Sequence, residues 1–222
     1  MAKQTFEPIS WREFFDVRDD VHTNSGVSLH SHLSHSYKTF RIYRKGREGV
    51  LLLFLHGGGF SGLSWAHLTK LITEEINCQC IAIDIRGHGD TLCDDERDFS
   101  METLSKYVLP PLNHFSSDLN DIIFSLFPAE APQIILVGHS MGGAIAINLA
   151  KSHKIPSLSG LIVIDVVEGT AMEALKSMKG FLANRPKSFK SLSSAIEWRF
   201  VIIFRAVLRD FFHIWLSQRG EI

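Results

Sequence analysis

The sequence predicts an α/β fold, a mostly parallel sheet with helices on both faces. Three observations lead there: four short apolar runs recur along the chain, each ends in a loop of glycine or charge, and helical patterns fall between most of them. A strand apolar at nearly every position has both faces covered, and strands that alternate with helices form a parallel sheet.

The elements follow in order. The stretch "YKTFRIYRKG" (37–46) alternates apolar and polar residues and reads as a hairpin strand at the sheet edge. "VLLLFLHGGG" (50–59) opens the parallel series and "CQCIAIDIRGHGDT" (78–91) continues it. Cys78 and Cys80 alternate onto one face of that strand. With Cys93 they make an odd count without a disulfide pattern, and they read as buried thiols rather than metal ligands. "SKYVLPPLNHFSS" (105–117) reads as a loop insertion, because Pro110 and Pro111 interrupt a helical region. "QIILVGHSMGG" (133–143) is the third run and passes into the helical "AIAINLAKSH"; "LSGLIVIDVVEGT" (158–170) is the fourth. The histidine-rich "HTNSGVSLHSHLSHS" (22–36) lacks a paired carboxylate or cysteine and reads as a surface loop, not a metal site. The whole of 1–222 is read as one domain.

Composition narrows the function. Of 222 residues 45% are hydrophobic and 21% charged, with a formal net charge of -1, which gives no electrostatic basis for general nucleic-acid binding. The N-terminal "MAKQTFEPISWREFF" has no apolar run after its lysine, so no secretory leader is expected and the cytoplasm or nucleus is the expected compartment. The most apolar late stretch, "FVIIFRAVLRDFFHIWL", is broken by Arg205, Arg209 and Asp210, and no membrane span is expected.

In a parallel sheet the carboxyl ends of the strands form the binding rim, and here the glycine-rich and charged loops meet on it. "VGHSMGGA" (137–144) fits G-x-S-x-G between a strand and a helix, which projects Ser140 as a nucleophile from a strained turn at a helix N-terminus. "HGGG" (56–59) lacks the Lys-Ser/Thr of a phosphate loop; the amides of Gly58 and Gly59, with that of Met141, are the expected oxyanion hole. In "DIRGHGDT" (84–91), Asp84 and Arg86 are expected to brace the rim. His88 and His139 are read as structural, His139 because it precedes Ser140 in the elbow and is expected to point elsewhere. Asp165 closes the fourth strand, where a carboxylate can orient a histidine. Glu168, three residues on, is the alternative, and Asp165 is preferred because a strand end holds a side chain more rigidly.

These motifs in sequence, HGGG, D-I-R-G-H-G and G-H-S-M-G-G, resemble the α/β-hydrolase superfamily. "VIDVVEGTAMEAL" (163–175) and "FLANRPKSFKSLSSAIEW" (181–198), with "FEPISWREFF" near the start, resemble more narrowly the protein phosphatase methylesterase family. The resemblance covers roughly residues 6–198, apart from 105–117. It implies an α/β-hydrolase fold short of its last strands, which would leave the fourth run an exposed apolar edge, and a serine esterase that demethylates the C-terminal leucine of the protein phosphatase 2A catalytic subunit. It also implies that subunit as partner, Ser140 as nucleophile, Asp165 as the acid, and no metal or organic cofactor. After Trp198 the resemblance stops, leaving 199–222 as a divergent tail without the family's late histidine loop. His213 is the only histidine after Asp165, and it lies in the aromatic run "DFFHIWL". Two other readings stay open: a catalytically silent phosphatase-binding protein and a general small-ester carboxylesterase.

Overall fold

The computed structural model describes residues 7–24, 37–93, 118–153, 155–166, 186 and 188–199. The chain divides into two units, one of residues 11–168 and one of residues 1–10 with 169–222. In the second, residues 192–199 are helical and the Phe189 and Trp198 rings lie 5.5 Å apart. The insertion read at 105–117, Glu168 and His213 lie outside the described residues.

The larger unit is built on six described strands: β1 (Val17–Asn24), β2 (Tyr37–Lys45), β3 (Val50–Leu55), β4 (Cys78–Ile83), β5 (Ile134–His139) and β6 (Leu158–Ile164). Their order across the sheet is β1-β2-β4-β3-β5-β6. The four apolar runs are β3 to β6 and all pair in parallel, with Leu53 between Ile81 and Leu136 at the sheet centre. β2 is not the edge strand its alternation suggests. It lies second, antiparallel to both β1 and β4. The true edge, β1, is the charged "VRDDVHTN", which turns Val21 and Thr23 inward. His22 to Asn24, expected in a surface loop, are the end of this strand.

Helix α1 (Ala66–Glu75) connects β3 to β4, α2 (Asp118–Leu126) precedes β5, and α3 (Met141–Lys151) connects β5 to β6. Because side chains alternate along a strand, Leu51, Leu53 and Leu55 face one side and Leu52 and Phe54 the other. The first set packs under Leu119, Ile122 and Ile123 of α2 and Ile145 and Leu149 of α3. The second meets Trp65, Ala66 and the N-terminal Phe14 and Phe15, with Phe54 and Trp65 stacked at 5.0 Å. Phe54, Leu53 and Ile83 are fully enclosed, and each contributes about 1.5–3 kcal/mol on burial. Cys78 and Cys80 lie buried on the α1 side, as expected, and burial pushes the Cys80 thiol up.

β6 is the opposite edge. Leu161 to Ile164 are 38–47% exposed there, the apolar edge expected of the fourth run. No described helix is long and apolar enough to cross a membrane.

Candidate active site

The turn from β5 into α3 is steric before it is chemical. Ser140 sits between them with φ 50 and ψ -115, a region that costs a non-glycine residue about 1–3 kcal/mol. Two backbone bonds hold it: its N–H donates to Ile164 O at 3.0 Å, and its carbonyl accepts from Ala144 N–H at 3.1 Å. The flanking glycines are required by close approach. A β-carbon on Gly138 would strike the Gly142 carbonyl, and one on Gly142 would strike the carbonyls of Leu55 and His56. That packs the head of α3 against the end of β3. Met141, the first helical residue, has an N–H with no intrahelical acceptor.

The glycine loop lies on this elbow. A β-carbon on Gly57 would fall 2.8 Å from His139 Nδ1 and 3.4 Å from Ser140 Cβ, and one on Gly58 would come 4.0 Å from Met141 Sδ. Phe60 N–H donates to Gly57 O at 3.2 Å and Gly59 has φ 76, so residues 57–60 form a type II turn. His56 anchors its start. Fully buried, it accepts Ile85 N–H on Nε2 at 3.0 Å, so Nδ1 carries the proton and donates to Gly57 O at 2.8 Å. Burial lowers His56 to about 4, and the ring is neutral at pH 7.

The neighbouring rim is braced as "DIRGHGDT" suggests. Asp84 is enclosed and accepts Gly62 N–H at 2.7 Å and Asp90 N–H at 3.0 Å. Burial pushes its carboxyl up, against the pull of those amides. Arg86, also buried, makes a two-pronged pair with Asp118 at 2.8 and 2.9 Å, and Lys38 Nζ reaches the same carboxylate at 2.8 Å. His88 does more than fill space. Its Nε2 accepts Gly59 N–H at 2.9 Å, which leaves Nδ1–H to donate to Arg86 O at 2.9 Å.

Of the residues expected to act, Ser140, Met141, Gly58 and Gly59 therefore meet at one place. The Gly59 amide is taken by His88, while Met141 N–H stands at the open head of the helix. Asp165 follows β6 with φ 52, and its side chain is 72% exposed, so the strand end leaves it freer than expected. Its Oδ2 lies 3.9 Å from Nε2 of His139. His139 does not point away from the site: its ring lies against Gly57 and packs edge-on to Phe60. Position next to Ser140 hid this, because alternation alone sends its side chain away from Ser140 without saying what stands on the far side. Among the described residues no group of three metal-ligating side chains gathers, and no hydrogen bond reaches Ser140 Oγ.

Against known proteins, a profile described as "Alpha/beta hydrolase family" matches residues 52–219. "Protein phosphatase methylesterase 1" of Bos taurus is 44% identical over 196 residues, 88% of this chain and 47% of that protein. The protein of the same name from Schizosaccharomyces pombe is 41% identical over 190 residues, 85% of this chain and 51% of that protein. The chain thus spans about half the length of the curated relatives it matches. Among solved structures, "Marine microorganism esterase" superposes with a TM-score of 0.52 at 25% identity, covering 66% of this chain and 51% of that one.

Proposed function

The chain belongs to the alpha/beta hydrolase family, and on that premise we propose that it is a serine esterase of the methylesterase kind. Its proposed substrate is the methyl ester on the C-terminal leucine of the protein phosphatase 2A catalytic subunit. The observation that carries this reading is Ser140, a non-glycine residue held at positive φ between a strand and a helix. Strain of that kind persists where the surrounding structure over-determines it, and it serves to present a nucleophile. The relatives named for phosphatase demethylation supply the substrate class.

In this reaction Ser140 Oγ attacks the ester carbonyl and the amides of Met141 and Gly58 receive the developing oxyanion. Methanol leaves, and water releases the carboxylate from the acyl-enzyme. Asp165 balances the charge of the imidazole that carries the proton. No described imidazole is hydrogen-bonded to Ser140. The same observation favours a second reading, a chain that docks on the phosphatase without turning over its ester.

The test is labelling of the 222-residue protein by a fluorophosphonate probe, with Ser140→Ala as control, followed by methanol release from the methylated phosphatase. Labelling lost in the control, with methanol released, is expected of the esterase. An unlabelled but folded chain that still binds the phosphatase would overturn it in favour of the second reading.

A further inference from the structure

Residues 57–60 make a turn whose two central positions are both glycine. Types I and II differ by rotation of the central peptide, here Gly58–Gly59, with the second residue near φ -90 in one form and +80 in the other. Glycine enters both regions readily. The turn sequence therefore does not choose its own form, and a contact outside it must.

We propose that His88 makes that choice: its Nε2 lone pair captures the amide of the central peptide and holds the turn in the type II form. The Gly59 N–H belongs to that peptide and points at Nε2 from 2.9 Å. The lone pair is fixed there because the other ring nitrogen donates to Arg86 O, and Arg86 is pinned by Asp118. The ring itself is held edge-on to the buried His56, 4.9 Å between centroids. A chain of contacts thus runs from Asp118 through Arg86 and His88 to a loop lying on the nucleophile. With Gly59 committed to His88, Gly58 and Met141 remain as the amides for the oxyanion. His88 is a positioning residue, and its kinetic consequence, though not the latch, rests on the esterase reading above.

One neutral hydrogen bond biases the two forms by about two- to ten-fold. In the full chain labelled with nitrogen-15, the expected result is a through-bond coupling between the Gly59 amide nitrogen and His88 Nε2. Its absence overturns the proposal whether or not the protein is an esterase. His88→Phe keeps a ring against His56 without a lone pair and is expected to slow fluorophosphonate labelling by about two- to ten-fold. His88→Gln, which restores an acceptor, is expected to recover most of that rate. Equal rates in the Phe and Gln variants would also overturn the latch. If wild-type Ser140 is never labelled, the esterase reading fails, and the coupling still decides the role of His88.

Discussion

Replacing Asp118 with alanine removes a carboxylate that receives two nitrogens of Arg86 and one of Lys38, all within 2.9 Å. The side chains of Arg86 and Asp118 are only 4% and 5% exposed, so solvent cannot replace what is lost. Breaking a buried pair from one side costs about 3–5 kcal/mol, a fifth or more of the stability of an ordinary domain, which is about 5–15 kcal/mol. The pair between Asp20 and Arg41 is the control. It is as short, 2.7 Å, but its Asp20 side chain is 39% exposed, and removing such a partner costs about 0–1 kcal/mol. Distance alone would rank the two equally; burial separates them. Urea unfolding followed by circular dichroism reads the difference. At a slope of about 2 kcal/mol per molar, Asp118→Ala should lower the midpoint by roughly 1.5–2.5 M and Asp20→Ala by less than about 0.5 M. The joint change Arg86→Met with Asp118→Leu, which buries no charge, should recover most of the loss. Equal midpoints for the two alanine variants would refute the burial argument.

Three further outcomes are expected. His56 is held at about 4 in the fold by burial, against 6.5 unperturbed, so the unfolded chain takes the proton first as pH falls. Stability is then full above about pH 6.5, falls by roughly 2 kcal/mol on going to pH 5 and by about 3 kcal/mol near pH 4. Urea midpoints across this window check it, and an unchanged slope in His56→Asn would count against the assignment. Ser140→Gly relieves the positive φ and should raise the urea midpoint where Ser140→Ala does not, a gain of about 1–2 kcal/mol; equal midpoints would mean that the turn stores no strain. Ile162→Lys on the exposed edge should slow aggregation, measured by light scattering, while moving stability by less than about 1 kcal/mol. Unchanged scattering would place the aggregating surface elsewhere.

What could be read from sequence was what sterics or continuous burial impose. β3 to β6 were legible because a strand covered on both faces has to be apolar throughout, and the elbow because Gly138 and Gly142 are the residues that fit between those carbonyls. β1 was not legible. Its sequence is mostly polar, and only its pairing to β2 makes it a strand, which is also why β2 looked like an edge. The contacts of the two histidines were not legible for a related reason. The bond from Gly59 to His88 joins two loops 29 residues apart, and the approach of His139 to Asp165 joins two strand ends; neither leaves a periodic trace. A histidine next to a glycine-rich rim loop was the available signal, since an imidazole supplies the acceptor that such a loop lacks.

The bond from Ser140 N–H to Ile164 O carries a kinetic meaning as well as a geometric one. β6 is held by β5 alone among the described strands, and edge elements open locally at lower free energy than the core they border. Each time the end of β6 frays, Ser140 loses one of its two backbone anchors, while β3 and β4 stay closed. Hydrogen exchange at the Ser140 amide should therefore follow this small opening rather than global unfolding, and be faster than at Leu53 in the sheet centre. The strained geometry of the Ser140 turn is then tied to an edge strand, and whatever steadies the end of β6 governs how much of the time that turn is fully anchored.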